Sequence, residues 1–173
     1  MTDSLDIHND NGGKRSRPGF LTVLGVLSFI TIGVNILLVV IQFATGRPSE
    51  DAILEQRVEL TKVVNQMHDT GMDSFARFFE QAIALNEEVN ESFYLALTVS
   101  LITYLVGLVG VIFMWKARKL GFHLYILYSL LALGGVYVYA SPANVSSISI
   151  ILGGLFSALF IFMYSRNLHW MTR

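Results

Sequence analysis

Apolar positions gather into four long uncharged runs, separated by short segments that carry nearly all the charge. Between Arg17 and Arg47 no residue is charged, and Phe20 to Phe43 is nearly all aliphatic. Ser92 to Trp115 gives a second run of 24 uncharged residues. Between Lys119 and Arg166 lie 46 uncharged residues, divided by Ser141-Pro142-Ala143-Asn144. Asn favours turns, and Pro142 has no N–H to give a helical ladder. A bilayer hydrocarbon core about 30 Å thick is crossed by about 20 helical residues. The pattern therefore predicts spans at 20–43, 92–115, 121–140 and 147–165. None of the runs has the period-two alternation of a barrel strand. Buried helices of a soluble core are the alternative, and four uncharged runs of this length argue against it.

The expected fold is an all-α membrane protein. Four transmembrane helices form an up-down-up-down bundle, with an extracytoplasmic helical hairpin between spans 1 and 2. The parts are a cytoplasmic disordered tail at 1–17, span 1 within 18–46, the hairpin at 47–91, spans 2 to 4 within 92–165, and a cytoplasmic tail at 166–173. The first apolar run exceeds the 7–15 residues of a signal-peptide core. It therefore reads as an uncleaved anchor, although Ala44-Thr45-Gly46 offers small residues for a cleavage site.

Within the 47–91 segment, Gly46-Arg47-Pro48 ends span 1 and Ser49 can cap a new helix, with Glu50 and Asp51 in its first turn. Ile53, Leu60, Val63, Val64 and Met67 share one face of that helix. Asp69-Thr70-Gly71 makes a turn, and Thr70-x-x-Asp73 resembles a capping box. In the second helix Met72, Phe75, Phe78, Phe79, Ala82, Ile83 and Val89 form a broad apolar face, with Asp73, Glu80 and Glu87 opposite. No Gly or Pro interrupts Asp73 to Val106, so this helix can run on into span 2 as one rod. The two apolar faces can bury each other or lie on the membrane. Alternatively, the face of Met72, Phe75, Phe78, Phe79 and Ile83 binds a protein partner or another copy of the chain.

Charge placement sets the orientation. Lys14, Arg15 and Arg17 precede span 1, Lys116, Arg118 and Lys119 fill the link between spans 2 and 3, and Arg166 and Arg173 follow span 4. The 47–91 segment has four basic and ten acidic residues. Basic residues near span ends mark the cytoplasmic side, which places both termini there and 47–91 outside. Trp115, Trp170, Phe93, Tyr94, Tyr137 and Tyr139 sit at span ends, as interfacial aromatics do. Small residues are expected to bring the helices together: Gly25 and Gly33, Gly107 and Gly110, Ala132 with Gly134 and Gly135, and the pairs Gly153-x-x-x-Ser157 and Gly154-x-x-x-Ala158.

Composition narrows the chemistry further. The charged share is 14%, against about 25% in soluble domains. A net charge of −1 supplies no footprint for nucleic acid. The chain has no cysteine, which removes disulfides, thiolate metal sites and Cys nucleophiles. No span holds Asp, Glu, Lys or Arg, the groups that mark ion paths and proton relays. His123 lies near a span end and reads as interfacial. His68-Asp69 is too small a set for a metal site. Asn35 stands mid-span, either as glue bonding across helices or as the polar lining of a solute path. Asn90-Glu91-Ser92 and Asn144-Val145-Ser146 match the glycosylation pattern but sit at the membrane surface. No Walker motif, nucleophile elbow or His-Glu-x-x-His helix occurs, so no catalytic, cofactor or metal residues are assigned.

Arg17-Pro18-Gly19-Phe20-Leu21-Thr22-Val23-Leu24 resembles the opening of small four-helix membrane proteins of Bacteroidetes-type bacteria. Phe113-Met114-Trp115-Lys116-Ala117-Arg118-Lys119-Leu120-Gly121-Phe122 is similar to their inner link. That group has no assigned activity. The resemblance implies a bacterial inner membrane and carries over no site residue. The expectation is a non-enzymatic interaction or assembly component in contact with the lipid bilayer. A small oligomeric channel or solute transporter is the alternative.

Overall fold

The structure, a computed structural model, describes residues 19–171. The tail expected at 1–17 and the last two residues lie outside the described residues. Six α-helices follow in order: α1 Gly19–Thr45, α2 Glu50–Asp69, α3 Asp73–Glu91, α4 Phe93–Trp115, α5 Lys119–Gly134 and α6 Ser147–Ser165. Short 3₁₀ turns occupy Gly135–Val138 and Leu168–Trp170, and no strand forms among the described residues. The helices α1, α4, α5 with its 3₁₀ extension, and α6 are each long and apolar enough to cross a membrane. They match the four uncharged runs and fit an integral membrane protein.

The ends of these helices follow from local chemistry. Gly46 takes φ +77° and returns its N–H to Gln42 O at 2.9 Å, closing α1 with a left-handed cap. Ser49 Oγ accepts the Ala52 N–H at 3.3 Å, the N-cap expected for α2. Gly71, at φ +74°, ends α2 in a Schellman motif. Met72 N–H reaches Met67 O at 2.8 Å and Gly71 N–H reaches His68 O at 3.0 Å. The capping box expected at Thr70-x-x-Asp73 does not form. Thr70 Oγ1 instead donates back to Gln66 O at 2.9 Å, because it sits at the end of α2 and Met72 occupies the start of α3.

The rod expected from α3 into α4 has one break, at Ser92 (φ −100°, ψ 30°). Ser92 N–H still reaches Glu88 O, and Ala96 N–H reaches Ser92 O, both at 2.9 Å. The third span is shorter as an α-helix than expected. It tightens to 3₁₀ from Gly135, where two glycines and the following valines weaken the α-helix.

Sequential contacts link α1 to α4, α4 to α5 and α5 to α6, and α6 also reaches α1 where Ser28 Oγ and the Tyr164 hydroxyl bond at 2.9 Å. The most extensive contact is α4 with α5, followed by α1 with α4, while α6 touches chiefly α5. Leu21, Leu24 and Ile32 of α1 join Val111 and Met114 of α4, Phe122 and Tyr125 of α5, and Tyr164 of α6 in one core. Further along α1, Val39 packs with Phe93 and Leu97.

Glycines set the α4–α5 spacing. A Cβ on Gly121 would fall on Met114 N and 2.6 Å from Gly110 O, so the two backbones touch. A Cβ on Gly107 would lie 2.7 Å from the Tyr128 ring, and one on Gly25 would lie 2.9 Å from Trp115. Gly33 and Gly154 face open space. Of the small residues expected to pack, Gly25, Gly107, Gly110, Gly135 and Gly153 meet neighbours, and Gly33, Gly134 and Gly154 do not.

Candidate functional site

Three places carry polar or exposed features that packing alone does not account for: the α2–α3 pair, the turn between α5 and α6, and a lateral cleft at mid-height of the spans.

The α2–α3 contact centres on small and aliphatic groups. Ala76 is fully buried and Val64 nearly so. Ion pairs flank them: Arg57 Nε stands 3.0 Å from Glu87 Oε1. His68 lies between Asp73 Oδ1, at 2.8 Å from Nδ1, and Glu80 Oε1, at 3.2 Å from Nε2. Asp73, Glu80 and Glu87 therefore turn toward α2 and do not form a separate outer face. They alternate with Ala76 and Ile83 at i, i+3, i+7, i+10 and i+14, the face one helix offers another.

The apolar face expected to be one patch is divided. Ile83 lines a small gap with Ile53 and Leu60. Phe78 and Phe79 are half-buried and meet edge to face at 5.6 Å. Phe75 is 63% exposed and Met72 46% exposed beside the Gly71 turn. Leu54 and Val58, one turn apart on α2, are also exposed.

Both imidazole nitrogens of His68 can donate only when the ring is protonated. The hydrogen bond to Asp73, then that to Glu80, raise its pKa above the ordinary 6.5. The two carboxylates approach opposite edges of the ring, so this arrangement does not converge on one metal ion. Asp69, the neighbour singled out in the sequence, bonds to neither nitrogen.

The second place was not visible in the sequence. Glu88, near the end of α3, accepts the Ser141 N–H through Oε2 at 2.8 Å and the Asn144 Nδ2–H through Oε1 at 3.0 Å. One carboxylate thus closes the α5–α6 turn and ties it to α3, across more than fifty residues of chain. Spacing offers no signal for a partner so distant. Asn144 is half-buried in this contact, Ser146 is buried, and Asn90 is buried while donating to Asn86 Oδ1 at 2.8 Å. The acceptor asparagines of both glycosylation-like triplets are thereby engaged in contacts within the fold.

The third place is a cleft of about 210 Å³ between α1, α5 and α6. Leu27, Ile32, Phe156 and Phe160 give it apolar walls, and Ser28, Thr31, Tyr125, Tyr128, Ser129 and Ser157 add hydroxyls. Asn35, the other mid-span polar residue of α1, does not line it. Its Nδ2 donates to Thr31 O within its own helix at 2.7 Å, in place of the cross-helix bond that glue would require. His123 is exposed, with Nδ1 3.1 Å from Lys119 O.

Comparison with known proteins adds no relative: no family model, no curated protein and no solved structure matches the chain.

Proposed function

We propose that this is a non-enzymatic multi-pass membrane protein that assembles with a protein partner, or with its own copies, through the outer end of the α2–α3 pair. The observation that carries the reading is the exposure of Phe75 (63%) and Met72 (46%) at a turn remote from the core of the four spans. Large apolar side chains exposed together mark interaction surfaces more often than isolated ones do. The supporting frame is an up-down-up-down bundle with α2 and α3 as an extracytoplasmic hairpin. Leu21 and Leu24 share a core with Met114, and Val39 packs with Phe93, as neighbouring helices of opposite direction would. Exposed Lys116, Arg118 and Lys119 in the α4–α5 link favour a cytoplasmic position for that end, in a bacterial inner membrane.

The test places a photo-crosslinking residue at position 75 in native membranes. Discrete crosslinked species should form, and Met72→Ser should reduce them while insertion and thermal stability stay unchanged. Deleting 52–89 with a short linker should abolish the complexes and leave the four spans inserted. Complexes that survive this deletion would overturn the proposal.

A further inference from the structure

The geometry points to a ligand site in the lateral cleft. We propose that it takes the ring of an uncharged, membrane-dissolved carbonyl compound of the quinone type, entering sideways from the lipid. The site is separate from the outer surface proposed above and uses none of its residues.

The hydroxyls of the cleft lie deep in the spans. Ser28 and Thr31 lie nine and twelve residues into α1, Tyr128 and Ser129 nine and ten residues into α5, and Ser157 eight residues before the end of α6. At about 1.5 Å per residue, all three helices put hydroxyls roughly 12–18 Å from their ends on the side of the α4–α5 link. In a hydrocarbon core about 30 Å thick, that level is the middle of the bilayer. Phospholipid phosphates and esters lie well away from it. A compound that dissolves in the core and carries its oxygens there can reach it.

Ser28 Oγ and the Tyr164 hydroxyl bond to each other at 2.9 Å, and Ser129 Oγ donates to Tyr125 O at 3.0 Å. The hydroxyls of Thr31, Tyr128 and Ser157 have no hydrogen-bond partner among the described residues. Serine and threonine can turn back to their own helix carbonyls. A tyrosine hydroxyl cannot, and Tyr128 is held in place by its ring against Gly107. An unpartnered hydroxyl in hydrocarbon is costly, and a carbonyl oxygen would satisfy it.

Charge and size complete the description. No carboxylate, imidazole, ammonium or guanidinium group lines the cleft, so a charged ligand would find no counter-ion. About 210 Å³ is below the roughly 300–1,000 Å³ of sites that enclose a whole drug-sized ligand. One ring fits, and its aliphatic tail remains among the lipid chains. The wall supplied by α6 (Phe156, Ser157 and Phe160) is the least packed, since Tyr164 is the one buried side chain of that helix.

The experiment uses the full chain in phosphatidylcholine nanodiscs, with a decyl-substituted benzoquinone as the probe and decylbenzene as its carbonyl-free counterpart. Binding is measured against partition into empty nanodiscs. The expected result is one saturable site per chain for the quinone and none for decylbenzene. Ser157→Phe, which fills the cleft from the least packed helix, should remove the site. Tyr128→Phe, which keeps the ring and deletes the hydroxyl, should weaken it by roughly tenfold. Should Ser157→Phe fail to fold, Tyr128→Phe still decides. Uptake that never saturates, equal retention of the two probes, or undiminished binding by Tyr128→Phe would each overturn the assignment.

Discussion

The backbone contact between α4 and α5 makes a sharp prediction for Gly121→Ala. The added Cβ would fall on Met114 N and 2.6 Å from Gly110 O. Ordinary carbon contacts begin near 3.4 Å, so the Gly110 carbonyl alone demands about 0.8 Å of separation. The helices cannot slide freely to provide it, since the link between them is short and locked. Arg118 N–H reaches Phe113 O at 2.9 Å and Ala117 N–H reaches Met114 O at 3.0 Å. Overpacking of this kind costs about 1–3 kcal/mol. Replacing a helical glycine by alanine contributes about 0.5–1 kcal/mol in the other direction. Gly33→Ala carries the same propensity gain with open space around the new methyl, so the difference between the two variants isolates the clash. It should be about 1–3 kcal/mol, or roughly 5- to 150-fold in the unfolding equilibrium. Reversible unfolding in mixed detergent micelles, followed by helix circular dichroism, measures both. Two variants equal within about 0.5 kcal/mol would refute the claim that these backbones touch.

Three further outcomes follow from individual contacts. Glu88→Gln presents an amide donor to at least one of two donors, Ser141 N–H and Asn144 Nδ2–H. It should cost the turn about 1–2 kcal/mol and speed hydrogen exchange at the Ser141 amide by roughly 5- to 30-fold. Ala117 holds φ 58°, a left-handed conformation that a Cβ resists. Ala117→Gly should therefore raise stability by about 0.5–1 kcal/mol, read as a higher melting temperature in detergent. His68 has a raised pKa in the folded chain, so its contribution is fully present below pH 6.5 and is lost as pH rises through the folded value. Exchange at the Met72 amide, corrected for intrinsic rate, should increase through that window, and His68→Gln should remove the dependence.

Much of the architecture was legible along the chain because hydrocarbon accepts few kinds of sequence. A span needs about twenty residues without charge and must satisfy its own backbone as a helix, so Phe20–Phe43, Ser92–Trp115 and the divided run after Lys119 announced themselves. Caps are equally local. Ser49, Gly46 and Gly71 act through atoms a few residues away, and their positions followed from the sequence alone. Which face of α3 meets α2 was not legible. Hydrophobicity favoured the phenylalanines, whereas close approach of two helices favoured the small Ala76, bordered by carboxylates that reach Arg57 and His68. The clamp from Glu88 to Ser141 and Asn144, the choice of Gly121 over Gly33 for backbone contact, and the cleft that gathers hydroxyls from α1, α5 and α6 depend on segments far apart in the chain. A residue's solvent preference is written in its own side chain. Its partner is fixed only when helices settle at particular distances and rotations, and that was decided by tertiary packing.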